Sequence, residues 1–109
     1  MPAIQLSKIL RIHISESDRY DGKPLFEAIV DKCRELQMAG VTVFQGLEGY
    51  GESAELHRAH MAGNDLPIVI VVVDAADNVE RLMSAVDPMI DTGMLAVSDV
   101  EMVRVQKVH

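Results

Sequence analysis

The sequence has almost no aromatic residues. There is no Trp, and Phe and Tyr together make up 4%. A single-stranded nucleic-acid binder that stacks bases on aromatic platforms would carry more. Positive charge is scarce as well: Lys+Arg 10 against Asp+Glu 17, a formal net charge of −7. An acidic surface repels phosphate backbones and anionic lipid, so nucleic acid and membrane surfaces are not expected as partners. One cysteine, Cys33, rules out an internal disulfide framework and a multi-cysteine zinc site. The longest apolar run, Pro67 to Val73, is too short to cross a bilayer. The segment Met1-Pro2-Ala3-Ile4-Gln5 lacks a basic stretch leading into an apolar core, so a cytoplasmic protein is expected. What remains is a globular composition, 49% hydrophobic and 25% charged, in a chain of 109 residues. That length predicts a single domain spanning 1–109.

Leu10, Ile12 and Ile14 alternate with Arg11, His13 and Ser15. The period of two predicts a strand over about Leu6 to Ser15. Ser17 to Pro24 is polar and turn-rich, and Pro24 suits the first turn of a helix. Leu25, Ile29, Cys33 and Leu36 then form a helical stripe, with Phe26 and Val30 beside it, and Gly40 is placed as the residue that ends it. Val41 to Phe44 is a short β-branched strand. About twenty residues follow without a strong strand, a length that points to a working loop in a small domain. A short helix is expected within it, over Ala54 to Met61. Leu66 to Val73 is a third strand. Asp77 and Glu80 have the spacing of a capping box opening a second helix, lined by Val79, Leu82, Met83, Val86 and Ile90. Pro88 must kink or tighten its end, and Gly93 is placed as its C′ residue. A last strand covers about Leu95 to Val105, with a phase shift that predicts a bulge. The order is βαββαβ: an α+β, ferredoxin-like sandwich with two helices on one face of a four-stranded antiparallel sheet.

Ile68 to Val73 does not alternate; six β-branched apolar residues in a row point to both faces. At about 25 cal/mol per Å², hiding the second set would stabilise by several kcal/mol. Either copies of the chain pack sheet on sheet, or the long loop lies over this strand; the first is the reading adopted.

Three blocks carry a family resemblance. They are Ser15-Glu16-Ser17-Asp18-Arg19-Tyr20-Asp21-Gly22-Lys23-Pro24 running on to Val30, then Ala39-Gly40-Val41-Thr42-Val43-Phe44-Gln45-Gly46-Leu47-Glu48-Gly49-Tyr50-Gly51, then Leu66-Pro67 running on to Asp74. Together they resemble the small domain-of-unknown-function one-ninety family of bacteria and archaea, although that family often has Gly where Ser15 stands. The resemblance implies a PII-like fold related to the PII signalling proteins and the divalent-cation-tolerance proteins. It implies a homotrimer with its sheets around a central axis. It also implies a non-enzymatic regulator that binds an adenine nucleotide (AMP, ADP or ATP) in clefts between subunits. Such a regulator would signal through the 48–65 loop to a membrane transporter, a channel or an enzyme.

Candidate ligand residues follow from both lines of reading. Gly46, Gly49 and Gly51, with Leu47 and Tyr50 between them, let backbone N–H groups converge on an anion, or simply reverse the chain. By the resemblance they stand where nucleotide phosphates are held. Thr92, Gly93 and Met94 would face the same cleft from a neighbouring copy; a plain helix end accounts for Gly93 equally well. Arg104 would meet phosphate there, or is an exposed strand residue. An alternative is a transition-metal site on Glu52, Glu55, His57 and His60, in which a helix would put the two histidines on one face. A solvated polar face explains the same residues. Glu16, Asp18 and Asp21, with Arg19 and Lys23, read as loop-stabilising groups or a divalent-ion site. No cluster supplies nucleophile, base and orienter together, so no enzyme, and no required cofactor, is expected.

Overall fold

A computed structural model describes residues 3–49, 57–58 and 65–107 of the chain. Its frame is one sheet of four strands, each neighbouring pair antiparallel. The strands are β1 (Ile4–Ser15), β4 (Thr42–Gln45), β7 (Pro67–Ala75) and β8 (Met94–Val103), in the order β4-β7-β1-β8. Between them run α1 (Leu25–Glu35) and α2 (Ala76–Val86), the latter followed by a 3-10 turn at Asp87–Met89. Four short strands form two further pairs: β2 (Arg19–Tyr20) with β3 (Lys23–Pro24), and β5 (Glu48–Gly49) with β6 (His57–Arg58). The order of the four main strands, fourth-first-third-second, is the ferredoxin-like one. No helix among the described residues is long and apolar enough to cross a membrane.

Both helices lie on one face. Leu10, Ile12 and Ile14 from β1 and Ile68, Ile70 and Val72 from β7 point into the core with Leu25, Ala28, Ile29 and Cys33 of α1 and Val79, Leu82 and Val86 of α2. The register Ile12↔Ile70 and Leu10↔Val72 aligns these side chains row by row. Burial in β7 alternates strictly, so Val69, Val71 and Val73 face away from the helices and are only half-buried. Their cross-strand partners are His13, Arg11 and Ile9 on β1 and, for Val69 and Val71, Phe44 and Thr42 on β4. Met94, Ala96 and Ser98 of β8 continue the rows. The second face expected from the Ile68–Val73 run is thus real. Among the described residues, the only charged or titratable side chains that the register puts within it are Arg11 and His13.

Several local readings are corrected. α1 ends at Glu35, not at Gly40. Gln37 takes the left-handed conformation (φ 60), its N–H donates to Arg34 O at 3.1 Å, and the Met38 N–H donates to Cys33 O at 2.9 Å. These two bonds make a Schellman motif. Gly93 is not a left-handed C′ residue either: Pro88 closes the helix into the 3-10 turn well before it. The capping box at Asp77 is not formed; the N-cap position is Ala75 and no side chain caps it. β8 carries no bulge, since its register with β1 is unbroken from Met94 to Val103. The polar stretch after β1 is a hairpin, with Asp21 (φ 53) and Gly22 (φ 82) between β2 and β3. Two successive positive φ values are what a type I′ turn needs. At His57–Arg58 the chain is extended, not helical, so the expected helix over Ala54 to Met61 does not hold there; its other residues lie outside the described ones.

Strands β1 and β8 run on together past β7. β7 leaves β1 at Ser7, whereas β8 pairs out to Ile4. The extension exposes Leu6 (83%) and Ile4 (61%), an apolar surface that the helices do not reach.

Candidate functional site

The candidate residues fall at two opposite ends of this sheet. Gly46 follows β4, and Gly93 precedes β8. Gln45 pairs with Ile68, Ile68 with Ile14, and the adjoining His13 with Met94. Gly46 and Gly93 therefore flank one end of the sheet, on its two edges, three strand spacings or about 14 Å apart. Arg104 follows the other end of β8. Ten residues of extended strand put it about 33 Å from Met94. One chain cannot bring Arg104 to Thr92-Gly93-Met94.

At the first end the glycines have local reasons. The Gly46 N–H donates to Pro67 O at 2.8 Å, and a β-carbon at Gly46 would stand 2.5 Å from Pro67 Cγ. A β-carbon at Gly93 would stand 2.8 Å from the His13 carbonyl oxygen and 3.0 Å from Ile90 Cγ2. Both residues let two backbones approach where a side chain would intrude. Leu47 is 79% exposed at the mouth of the loop. Gly49 lies in the β5–β6 ladder opposite His57. Tyr50, Gly51, Glu52, Glu55 and His60 lie outside the described residues. The extended chain at His57 does not form the helical face on which the metal reading relied. Among the described residues no group of three or more His, Cys, Asp or Glu is placed to hold a metal ion.

The return of the loop is tied to the end of β1. The Ser17 N–H donates to Asp65 Oδ1 at 2.7 Å, its hydroxyl bonds the other oxygen of Asp65, and the Glu16 N–H donates to Leu66 O at 2.8 Å. Gln45 donates its side-chain amide to the Glu16 carboxylate, and the Ser15 N–H donates to Asp18 Oδ2 at 2.9 Å. Glu16 and Asp18 thus act as loop-stabilising groups. Beside them, a depression of about 230 Å³ opens between the 3-10 turn and β8, lined by Asp87, Ile90, Asp91, Gly93, Met94 and Leu95. Thr92 sits in the same turn. Sequence reading missed the two carboxylates of this hollow.

At the opposite end the organising group is Asp74, 7% exposed. Its Oδ2 accepts the Ala39 N–H at 2.8 Å; its Oδ1 accepts the Ala75 N–H at 2.7 Å and Asn78 Nδ2 at 2.9 Å. One carboxylate thereby joins the turn after α1 to the start of α2. Burial pushes its pKa up. The bonds from Asn78, Ala39 and Ala75, with the positive charge of Arg104 nearby, outweigh that and hold it below the usual carboxylate range. Cys33, packed in the core, has its thiol pushed up to about 11 by burial, which makes it an unreactive group.

The fold has solved counterparts. CPII, a nitrogen regulatory PII-like protein from Thiomonas intermedia, bound to ADP, AMP and bicarbonate, superposes with a TM-score of 0.74. The match covers 95% of this chain and 94% of that one at 20% identity. The apo form of CPII matches at a TM-score of 0.63 and 20% identity, over 94% of this chain and 100% of that chain. In sequence, a UPF0166 protein of Aquifex aeolicus is 29% identical over 98 residues, 88% of this chain and 92% of its own length. A UPF0166 protein of Methanocaldococcus jannaschii is 29% identical over 96 residues, 85% of this chain and 88% of its own. Residues 7–102 match the DUF190 family model, described as "Uncharacterized ACR", and the chain belongs to that family.

Proposed function

We propose that the protein is a non-enzymatic PII-like regulator of the cytoplasm that binds a small adenine nucleotide, AMP, ADP or ATP, between copies of itself in a homotrimer. The observation that carries this reading is the superposition on CPII bound to ADP and AMP, at a TM-score of 0.74 over 95% of this chain. Supporting it, the half-buried face of Val69, Val71 and Val73 offers a surface for sheets to close on one another. The roughly 33 Å of strand that separate Arg104 from Met94 favour a cleft shared between copies over one built in a single chain.

In this reading Gly46, Leu47, Gly49, Tyr50 and Gly51 of one copy, with its Thr92, Gly93 and Met94, form one wall, and Arg104 comes from a neighbour. The 48–65 loop reports occupancy to a transporter, channel or enzyme. Signalling then requires the nucleotide to interact differently with two arrangements of that loop; equal affinity for both would transmit nothing. Calorimetric titration tests the proposal. Saturable heat with at least one of AMP, ADP and ATP is expected. No heat and no thermal shift with any of them at millimolar concentration would overturn it.

A further inference from the structure

The face of the sheet turned away from the helices is apolar but not free of charge. One row across the strands reads Phe44, Val69, His13, Met94, and the next reads Thr42, Val71, Arg11, Ala96. Arg11 pairs with Val71 at the middle of the β1–β7 ladder, and β1 is an inner strand of the sheet. His13, two residues on, shares that face. The two groups differ in reach. Arg11 is exposed, and its long stem lets the guanidinium seek water at the edge of a covered face. The His13 ring is already half-buried and hangs on a single methylene, so it stays where the strand puts it. No packed element sets a carboxylate against it. β7 offers Val69, flanked by Pro67 and Val71; β8 offers Met94 and Ala96; β4 offers Phe44 beyond Val69. On β1 itself the same face carries Arg11 and Ser15. The turn before β8 sets Gly93 against the His13 carbonyl, while its carboxylates, Asp87 and Asp91, line the hollow. Glu16, just after β1, is held by the Gln45 amide. Among the described residues, His13 and Arg11 form no ion pair within 4 Å.

An imidazole changes its charge between about pH 5 and pH 8. Neutral, the ring can be covered by an apolar surface. Protonated, it puts an unpaired charge into that surface, beside Arg11 of the same sign. We propose that His13 is a proton switch on the assembly: copies close sheet on sheet while its ring is neutral and separate as it takes up a proton. The proposal rests on the trimer reading above and adds its regulation. Each copy brings one ring, so separation of a trimer takes up as many as three protons. The dissociation constant for three chains then climbs by up to about a thousandfold per pH unit below the imidazole's titration. Because the proposed nucleotide cleft lies between copies, the same protons release the nucleotide.

The test is sedimentation equilibrium of the nucleotide-free chain at about pH 7.5 and about pH 5.5, at one ionic strength. The lower value stays above the acid range in which Asp74 loses its contribution, so far-UV circular dichroism should not change between the two. Wild type is expected at about three chain masses at the higher pH and shifted toward the 12.0 kDa chain at the lower. His13→Gln and His13→Phe, which cannot take up the proton, are each expected to keep three masses at both. His57, His60 and His109 remain in these variants, so the difference isolates His13. A wild type that holds three masses at the lower pH would overturn the switch and leave the trimer standing. Variants that separate on acidification as wild type does would also overturn it. A single chain at the higher pH would remove the trimer reading and the switch together.

Discussion

Gly46 and Pro67 meet so closely that no side chain fits between them: 2.8 Å separates the Gly46 nitrogen from the Pro67 oxygen, and an added β-carbon would lie 2.5 Å from Pro67 Cγ. This contact closes the base of the long loop and fixes where the chain leaves the sheet. A rigid pyrrolidine ring cannot swing aside as a flexible side chain would. Gly46→Ala is expected to lower stability by about 1–3 kcal/mol, read by urea denaturation. If the loop base also shapes the ligand wall, the same variant weakens nucleotide binding in calorimetry. An unchanged midpoint would show that the two backbones separate without cost.

Asp74 gives a pH signature. Its folded-state pKa is lowered, so its contribution to stability is fully present above the ordinary carboxylate value near 4 and is lost as pH falls through the lower folded value. Stability by urea unfolding should therefore decline on acidification below about pH 4. Asp74→Ala leaves the Ala39 and Ala75 N–H groups without their acceptor and should cost about 1–3 kcal/mol at neutral pH. It should also flatten the acid limb of the curve. A variant with the wild-type acid limb would show that Asp74 does not carry it.

The architecture was largely written in the residue pattern, and the details that were not have physical causes. The alternation in Leu10 to Ile14 and the unbroken Ile68 to Val73 run gave strands, faces and the second apolar surface correctly, because burial periodicity is a property of the whole sheet. Helix ends were read from glycine, yet Gln37 adopts the left-handed conformation at the end of α1, where Met38 N–H reaches Cys33 O. Asp21-Gly22 spelled a type I′ hairpin in the sequence, masked by the charged residues around it. Gly93 was a candidate ligand residue by resemblance; the closeness of the His13 carbonyl gives it a packing reason that no one-dimensional pattern could show. Asp87 and Asp91 carried no signal in the sequence; only the chain reversal after α2 sets them around one hollow.

The hairpin itself can be probed. Gly22 holds φ 82 in its turn. Gly22→Val sets a β-branched side chain in a left-handed conformation and should cost about 1–2 kcal/mol, seen as a lower urea midpoint. Gly40 is not left-handed and nothing lies within 4 Å of an added β-carbon there, so Gly40→Ala should be neutral or slightly stabilising. The reverse order of effects would contradict the turn geometry.

The open face of the sheet makes a further prediction. Val71 lies in its middle, between Arg11 on β1 and Thr42 on β4. Val71→Asp should leave the helix-side core intact, because the side chain points away from it, and should prevent sheets from closing on each other. Gel filtration is expected to show a smaller particle with wild-type far-UV circular dichroism. A particle of unchanged size would mean that this face is not where copies meet.

The central claim is that the working site exists only where two copies share it. Sedimentation equilibrium of the wild-type protein, with and without ADP, tests this most directly. The chain weighs 12.0 kDa. The account predicts a particle of about three chain masses that binds ADP. A 12 kDa species that still binds ADP with full affinity would contradict it, since a single chain holds Arg104 and Gly93 at opposite ends of its sheet.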